Sequence, residues 1–345
     1  MSGNITIKDV ARRANVSVAT VSRALNGHEN VTEAVRLRVF AVANELRYSP
    51  HHAARSLSSR RTRTIGVVLP DLYGEFFSEL MRGIDQVARE RGLHLLVSSY
   101  HGNPEEQGAA LRAMRGRVDG LLVMSPYLDN VGVLTDHLPP SLPAVLLNTC
   151  LSDAAIPALS IDNYGGARTL MHHLIESGYR RIAFIAGPED NFDAHERLRG
   201  YRDAIAEALP KAKPWILPGD FDEASGHRAG RELLASKQRP DAVFAANDMM
   251  ALGCLFAFNQ AGLQVPGDIA LAGFDDIPLS RYVHPSLTTM RVDITEFGGR
   301  ALRALLDRPE QEDAETPAQV LLAPELIARE STGVDPKRRA RTDSS

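Results

Sequence analysis

The sequence predicts a small all-helical segment at the N-terminus, followed by a larger α/β body built from two similar lobes. Three observations lead to this prediction. Residues 1–62, called the head below, show a pattern of three short helices and hold ten Lys/Arg and four Asp/Glu. Buried strands then alternate with helix-length segments, and this alternation occurs twice. Of the net charge of −4 for 345 residues, the head carries +6, which leaves −10 for the body.

The helices of the head are marked by their capping residues. Thr6 precedes the first helix, and Asp9 stands three residues later to complete a variant capping box. Ser17 is the predicted cap of a second helix, Val18–Leu25, and Thr32 is the predicted cap of a third. Two helices joined by so short a turn, and closed by a third, predict a helix-turn-helix.

A positively charged helix-turn-helix predicts binding to double-stranded DNA. Small side chains allow the second helix to enter the major groove, where Arg23 can pair with guanine, and nearby polar side chains suit phosphate contacts. The outward-facing residues are Val18, Ala19, Ser22 and Arg23, and the phosphate contacts are expected from Thr20, Asn26 and Asn30. A small helical adaptor without a DNA role is the alternative for this segment.

The body contains short apolar runs that are typical of buried parallel strands. These runs lie at 65–70, 93–97, 120–124 and 144–147, and then at 182–188, 242–246 and 269–274. In each half a glycine follows the start of the first strand by 18 residues, Gly83 after Ile65 and Gly200 after Ile182. So many strands favour two lobes with a cleft over the alternative of one continuous sheet.

Polar and aromatic side chains directly follow the predicted strands, which is where ligands bind in open α/β sheets. Aromatic faces combined with Asn, Asp and Arg suit a polyhydroxylated ligand, whose hydroxyls need both donors and acceptors. The candidates are Phe76, Phe77, Ser125, Asn148, Asp193, Arg197, Asn247 and Asp275. Arg197 and Asp275 form a predicted clamp. Asp248 and Asp276 are assigned to caps or turns. For either Phe76 or Phe77, the alternative to a place in the ligand site is a place in the hydrophobic core.

The head resembles the lactose/galactose repressor (LacI/GalR) family at an ordered series of positions, Thr6–Ala11, Ala14–Ser17, Thr20–Arg23, Leu25-Asn26, Tyr48–Pro50 and Ala53–Leu57. The last two segments match the hinge of that family. The body resembles it at Pro70-Asp71, Phe76-Phe77, Ala246–Asp248, Gly273–Asp276 and Leu287–Thr289.

The resemblance implies an α-helical helix-turn-helix DNA-binding domain joined to an α/β periplasmic-binding-protein-like two-lobed effector domain. It implies a transcriptional regulator, acting as a repressor, whose affinity for a pseudo-palindromic operator is controlled by a small effector, a mono- or disaccharide. In the family, a hinge leucine wedges into the minor groove and kinks the duplex, and Leu57 stands at that position. The resemblance also adds Phe221 to the effector-binding set, and it brings Thr6, Ser17, Tyr48, Ala54 and Leu57 to the DNA-binding set.

The expected domains are the helix-turn-helix (1–49), the hinge (50–62), an N-terminal lobe (63–162 and 292–322), a C-terminal lobe (163–291 and 323–331) and a disordered tail (332–345). In the family the chain crosses between the lobes three times, which implies crossings near 162, 291 and 323. The tail carries no leucine heptads, so a homodimer is expected rather than a coiled-coil tetramer.

Several other classes of protein are disfavoured. No apolar run approaches the ~20 residues of a membrane span, and the N-terminus lacks the order of a signal peptide, so we expect a cytoplasmic protein rather than a secreted solute-binding protein. Neither Gly-x-Gly-x-x-Gly nor a P-loop occurs, and no serine stands in a nucleophile elbow. The rival function is that of an α/β transferase, and the absence of these motifs disfavours it. We therefore expect no enzymatic activity, cofactor or metal. Cys150 and Cys254 are expected to be buried free thiols.

Overall fold

The computed structural model describes residues 5–25, 30–48, 61–127, 131–138, 141–149, 156–307 and 320–333. The chain divides after Thr62 into two compact units, the head and the body, and each is described by itself. Within the described ranges, no helix has the length and apolar character needed to cross a bilayer.

The head contains three helices whose bounds agree with the sequence prediction: α1 Ile7–Ala14, α2 Val18–Leu25 and α3 Glu33–Glu45. The predicted capping box is present, since an Asp9 carboxylate oxygen accepts hydrogen bonds from the backbone N–H and the hydroxyl of Thr6, at 3.0 and 2.7 Å. Val10, Val21 and Val39 are fully buried, one from each helix, and they form the centre of the small core.

The body contains twelve strands within the described ranges: β1 Thr64–Leu69, β2 His94–Ser99, β3 Gly120–Met124, β4 Ala144–Leu147, β5 Ala158–Ile161, β6 Ile182–Ile185, β7 Trp215–Leu217, β8 Ala242–Ala245, β9 Ala270–Ala272, β10 Thr289–Arg291, β11 Val320–Leu322 and β12 Glu325–Ile327. Its helices are α4 Glu75–Glu90, α5 Pro104–Met114, α6 Val131–His137, α7 Asn163–Glu176, α8 Phe192–Ala208, α9 Glu223–Ala235, α10 Asp248–Gln260 and α11 Ile294–Leu306. Short 3₁₀ turns lie at Pro278–Arg281 and Glu330–Thr332.

These strands form two parallel sheets, as the sequence predicts. The N-terminal lobe holds a six-stranded sheet in the order β11-β5-β4-β3-β1-β2, and the C-terminal lobe a four-stranded sheet in the order β7-β6-β8-β9. A third pairing, antiparallel between β10 and β12, adds a two-stranded ribbon that was not anticipated. The chain passes between the lobes after β5, between β10 and α11, and between β11 and β12.

The two glycines that mark the sequence repeat lie at close helix–helix contacts. An added Cβ at Gly83 of α4 would stand 1.8 Å from the carbonyl oxygen of Thr295 on α11. An added Cβ at Gly200 of α8 would stand 2.7 Å from the carbonyl oxygen of Tyr164 on α7. The same device therefore brings a pair of helices together in each lobe, because only glycine permits so close an approach of two backbones.

We expect Gly83→Ala to lower the free energy of unfolding by about 3 kcal/mol or more, at or above the upper end of ordinary overpacking, because the atom it strikes is a backbone oxygen. Gly132→Ala is the matched control, since an added Cβ on α6 meets nothing within 4 Å. That change is expected to be neutral or to stabilise by up to about 1 kcal/mol. Urea denaturation followed by circular dichroism measures both, and equal midpoints for the two variants would contradict the contact.

The predicted boundary of a disordered tail at 332 is wrong for its first residue. Thr332 is buried, and its Oγ1 lies 2.7 Å from Oγ1 of Thr288 and 2.9 Å from Nε2 of His173. Ser331 is fully buried, and its hydroxyl donates to the carbonyl of Leu271 in the middle of β9. The chain is thus anchored in the C-terminal lobe as far as Thr332, and residues 334–345 lie outside the described ranges.

Cys254 is a buried free thiol, as expected, and burial raises the pKa of its thiol far above the ordinary range. Cys150 lies outside the described residues.

Candidate functional site

The outward side of α2 carries the side chains predicted to read DNA. Val18 is 41% exposed, and Ala19 and Arg23 are exposed beside it. Arg23 Nε donates to the carbonyl of Ala19 at 3.2 Å, which orders its side chain along the helix surface. A small apolar ridge beside an ordered guanidinium has the shape and donors that a major groove accepts.

The other predicted DNA-binding residues divide into three groups. Ser17 and Thr20 form the cap of α2, with the backbone N–H of Thr20 donating to Ser17 Oγ at 3.1 Å, and Thr6 caps α1. Asn30 is exposed, Ser22 is half-buried, and Tyr48 is half-buried against the core of the head. The last group, Asn26, Ala54 and Leu57, lies outside the described residues.

A cavity of about 220 Å³ lies in the body where the carboxyl ends of strands from both lobes face each other. Eight of the nine predicted effector-binding residues line it, namely Phe76, Phe77, Asn148, Asp193, Arg197, Phe221, Asn247 and Asp275. Both phenylalanines contribute, with their rings packed edge to face at a centroid distance of 5.4 Å. Further lining residues that sequence reasoning missed include Tyr73, Tyr127, Asn191 and Met249.

Ser125 is the exception, and the expectation for it is corrected. Its side chain is buried, its hydroxyl accepts a hydrogen bond from Gln107 Nε2 of α5 at 3.0 Å, and it does not line the cavity. Position after a strand end was the only signal for Ser125, and that position alone does not determine which way a side chain turns.

Arg197 of α8 lies at the centre of the polar side of the cavity. Its Nε donates to Asn163 Oδ1 at 2.7 Å, its Nη1 donates to the carbonyl of Ala246, and its Nη2 lies 3.2 Å from Asp275 Oδ1. The guanidinium carbon also lies over the Phe274 ring, at 3.8 Å from its centroid. Arg197 and Asp275 therefore form a buried ion pair in the cavity wall, and their role as a clamp for a ligand stays a prediction.

Asp193 completes this network and joins it to the other lobe. Its two carboxylate oxygens accept hydrogen bonds from the amides of Asn148 and Asn163, each at 2.9 Å. Asn148 follows β4 in the N-terminal lobe, whereas Asp193 lies on α8 in the C-terminal lobe. A direct hydrogen bond between the lobes is thus part of the cavity wall.

Burial raises the pKa of two carboxyls in this wall to about 6, those of Asp193 and Asp275, and in both the nearby Arg197 charge only partly offsets the effect. The charge of Glu196 further raises the pKa of Asp193, and that of Asp193 raises the pKa of Asp275. Both carboxyls therefore bind protons more tightly when the body is folded than when it is unfolded.

Because the folded-state pKa of these groups lies above the unfolded value, their contribution to stability falls as pH rises from about 4 through 6. We expect Asp193→Asn to flatten the decline in free energy of unfolding between about pH 4 and pH 6, each pKa unit being worth about 1.4 kcal/mol. The exposed Asp85→Asn serves as the control and should keep the wild-type slope. Urea titrations at several pH values measure the slopes, and identical slopes for all three proteins would contradict the assignment.

Contacts between the lobes also surround the mouth of the cavity. The Tyr73 hydroxyl donates to a Glu223 carboxylate oxygen at 2.9 Å, and a Glu75 carboxylate accepts from the backbone N–H of Leu279 at 3.0 Å. Tyr73 and Glu75 belong to the N-terminal lobe and their partners to the C-terminal lobe. A change in the angle between the lobes must therefore break or remake these bonds.

Three cavity-lining residues other than glycine have left-handed or strained backbone angles: Asn148 with φ 41°, Phe221 with φ 63° and Asp275 with φ 113°. Such conformations cost of order 1–3 kcal/mol each and persist only where the surroundings hold them. Their coincidence at one cavity indicates that the chain is held there to position side chains, which is typical of a functional site.

Asp276 has a larger role than the turn assigned to it. Its carboxylate is fully buried and accepts hydrogen bonds from Ser280 at 3.0 Å, from Arg291 Nε at 2.7 Å and from Arg329. A fourth partner, Arg281, lies at 3.3 Å. The assignment to a cap or turn suits Asp248 better than Asp276. The buried carboxylate of Asp248 accepts a hydrogen bond from the backbone N–H of Ile277 and so holds the loop after β9.

No group of His, Cys, Asp and Glu side chains within the described ranges is arranged to hold a metal ion.

Comparison with known proteins bears on both units. Residues 6–51 match the lacI family of bacterial regulatory proteins, and residues 171–332 match the periplasmic binding protein-like domain. The HTH-type transcriptional repressor PurR of Shigella dysenteriae serotype 1 (strain Sd197) is 37% identical over 337 residues, which cover 96% of this chain and 98% of that protein.

Two solved structures are similar over nearly the whole chain. The lac repressor dimer bound to operator and the anti-inducer ONPF has a TM-score of 0.84 and 29% identity, and covers 96% of this chain and 99% of that one. The transcriptional regulator CelR in complex with cellobiose has a TM-score of 0.68 and 33% identity, and covers 95% of this chain and 99% of that one.

Proposed function

The chain belongs to the lacI family of bacterial regulatory proteins and is a DNA-binding transcriptional repressor, and on this premise we propose that a sugar bound between the lobes of its body controls its affinity for an operator. The observation that carries the proposal is the cavity itself. Its wall combines aromatic rings, asparagines, carboxylates and an arginine drawn from both lobes. Such a set matches a ligand whose hydroxyls both donate and accept hydrogen bonds.

The position of the cavity supports a link between ligand and DNA affinity. A ligand that contacts Asn148 in the N-terminal lobe and Asp193 or Arg197 in the C-terminal lobe would change the angle between the lobes. A coupling free energy of about 1–3 kcal/mol is typical of such control and changes affinity by roughly 5- to 150-fold. The sheet to which each strand belongs supports lobe boundaries near 162, 291 and 323.

On the DNA side, α2 would enter the major groove of each half-site, with Val18, Ala19 and Arg23 at the base edges. Two copies of the chain bind a pseudo-palindromic operator, because a two-fold operator requires a two-fold protein. In this proposal Leu57 is the minor-groove wedge contributed by each copy. The lac repressor structure is itself a dimer on operator, and the CelR structure holds the disaccharide cellobiose.

The proposal is tested by measuring operator binding by fluorescence anisotropy with purified protein, first alone and then across a panel of sugars and nucleosides. At least one sugar is expected to change the Kd for operator 5-fold or more. Absence of any effect from every sugar and nucleoside in the panel would overturn ligand control, while leaving DNA binding untouched.

The proposed DNA contact has its own test. We expect Arg23→Ala to weaken operator binding by about 1–3 kcal/mol and to relax specificity at one base pair of each half-site, because it removes a bidentate contact to guanine. Arg12→Ala is the control, since Arg12 is exposed on α1 and pairs with Asp9 of the same helix. Equal losses on specific and random duplexes would contradict a base contact and would instead indicate a phosphate contact.

A further inference from the structure

The sheet of the N-terminal lobe has a second edge, opposite the cavity, where its six parallel strands begin. The helices between these strands run in the opposite direction, so α5 and α6 end at this edge. The chain also enters the body here, because Arg63 directly precedes β1. This surface, called the entry edge below, is separate from the cavity, which lies at the carboxyl ends of the strands.

Four exposed arginines of the entry edge form no ion pair with a described residue, namely Arg63, Arg112, Arg115 and Arg117. No carboxylate oxygen in the described part of the chain lies within 4.0 Å of their guanidinium nitrogens. Elsewhere in the same lobe the pattern differs, since both arginines of α4 pair with an acidic side chain of their own helix. Four guanidinium groups that keep their full charge therefore share the edge where the chain enters the body.

Two of these arginines are held in place by the end of α6. Arg112 Nη1 lies 3.2 Å from His137 Nε2, and Arg115 Nη2 donates to the carbonyl of His137 at 3.3 Å. Gly108 on α5 makes room for this arrangement, because an added Cβ would stand 2.7 Å from a ring carbon of His137. Guanidinium groups that are already ordered lose less freedom when they bind an anion, and their planar donors suit phosphate oxygens.

Carboxylates also lie at the entry edge, and the chain itself engages two of them. Asp119 accepts a hydrogen bond from the backbone N–H of Arg63 at 2.7 Å, and Asp307 forms an ion pair with Arg91 at 3.0 Å. Two more are exposed, Glu90 and Asp136. Among the described residues of this edge, the unpaired guanidinium groups therefore outnumber the exposed carboxylates by four to two, which favours an anionic partner.

DNA is the anionic partner that the position of this edge favours. Twelve residues, 49–60, separate the last described residue of the head from Arg61, and a chain of that length spans at most about 40 Å. A duplex bound by the head is therefore tethered within that reach of the entry edge. The body carries a net charge of −10 and would repel such a duplex, and contacts from arginines to phosphates would offset the repulsion.

From these observations we infer that the entry edge is a second DNA-contacting surface, located on the body, in which Arg112, Arg115 and Arg117 bind backbone phosphates of the duplex held by the head. These contacts add affinity and do not read sequence, because phosphate oxygens are the same at every base pair. The inference goes beyond the proposed function, since it requires neither a ligand nor any response to one.

The test is the salt dependence of operator binding by the full-length protein. An operator duplex is first selected from random sequence with the wild type, and its Kd is then measured by fluorescence anisotropy between 50 and 200 mM KCl. Each phosphate contact contributes about 0.9 to the slope of log Kd against log salt. The triple variant Arg112→Gln, Arg115→Gln and Arg117→Gln is expected to lower that slope by about 2 to 3 and to weaken binding 10-fold or more at 100 mM.

A matched triple variant controls for the change of net charge. Arg202→Gln, Arg231→Gln and Arg239→Gln also removes three positive charges, from exposed arginines of the C-terminal lobe that form no ion pair with a described residue. Its slope should stay within about 0.5 of the wild-type slope. Single base-pair changes in the operator should cost the entry-edge variant as many fold in affinity as they cost the wild type, because the head alone reads bases.

Three outcomes would overturn the inference. Equal slopes for the two triple variants would show that the entry edge contacts no phosphate, and so would weaker binding at an unchanged slope. Altered penalties for base changes would show that these arginines act by displacing the head. Circular dichroism melting checks that each variant folds. If the entry-edge triple variant does not fold, Arg117→Glu and its control Arg231→Glu replace the pair, and Arg117→Glu alone is expected to lower the slope by about 0.9 or more.

Discussion

Replacement of Arg197 by methionine is expected to abolish the ligand response and to destabilise the body by about 3–5 kcal/mol, the usual cost of removing one partner of a buried ion pair. Methionine replaces the aliphatic part of the side chain but provides no charge and no donor. Asp275 would lose its counter-charge, and Asn163 Oδ1 and the Ala246 carbonyl would lose their hydrogen bonds. Ligand affinity should fall 100-fold or more, because these groups form the polar wall of the cavity.

Two measurements separate the parts of this prediction. Urea denaturation gives the loss of stability, and operator binding with and without the sugar that stabilises the wild type gives the loss of response. Binding to operator in the absence of sugar should stay within a few-fold of wild type, since the core of the head is a separate cluster. Arg89→Met, which breaks the exposed ion pair with Asp85, is the control and should cost less than about 1 kcal/mol. A variant that still responds to sugar at wild-type concentrations would contradict the role of Arg197.

Much of the site could be predicted because its signals are local. The helices of the head follow their caps, and the long strands of the body follow unbroken apolar runs. Once the strands were placed, the rule that ligands bind beyond their carboxyl ends brought Asn148, Asp193, Arg197 and Asn247 to one cavity. Phe221 depended instead on the family resemblance, since it follows a strand of only three residues.

The parts that were missed depend on contacts between distant residues or on very short elements. Strands β7, β10, β11 and β12 have three residues each, which is too short for any periodicity to appear. Tyr73 reaches Glu223 across 150 residues of chain, and nothing near either residue indicates the other. Ser125 illustrates a different error. The end of its strand was predicted correctly, but its side chain turns toward Gln107, which donates a hydrogen bond to it, and not toward the cavity.

Asp276 is where such distant contacts have the largest expected effect. Its partners Arg291 and Arg329 lie 15 and 53 residues away, one on β10 and one just after β12. Although burial opposes ionisation, the hydrogen bonds from Arg291 and Arg329 lower the pKa of this carboxyl below its usual value. Its contribution to stability is therefore present at neutral pH and is lost only as pH falls through that lowered value.

We expect Asp276→Asn to cost about 3–5 kcal/mol at pH 7, because Arg329 is largely buried and would be left without a counter-charge. Two arginine variants test the cluster formed by Asp276 and its arginine partners. Arg329→Met should reproduce most of the loss, whereas Arg281→Met should cost less than about 1 kcal/mol, since Arg281 is half-exposed and lies farther from the carboxylate. Equal costs for the two would show that burial does not determine the strength of these pairs.

The cluster should also influence the ligand without touching it. Asp275, whose backbone is strained at φ 113°, is held between β10 and Asp276, with its N–H donating to the carbonyl of Met290 at 2.9 Å. When Asp276 no longer ties Arg291 and Arg329 together, that strain can relax and move the Asp275 carboxylate away from the cavity. Ligand affinity in Asp276→Asn should therefore fall 10-fold or more while Arg281→Met keeps it, a difference that calorimetry with the stabilising sugar can measure. Unchanged affinity in a destabilised Asp276→Asn protein would mean that Asp275 is positioned by the ribbon alone.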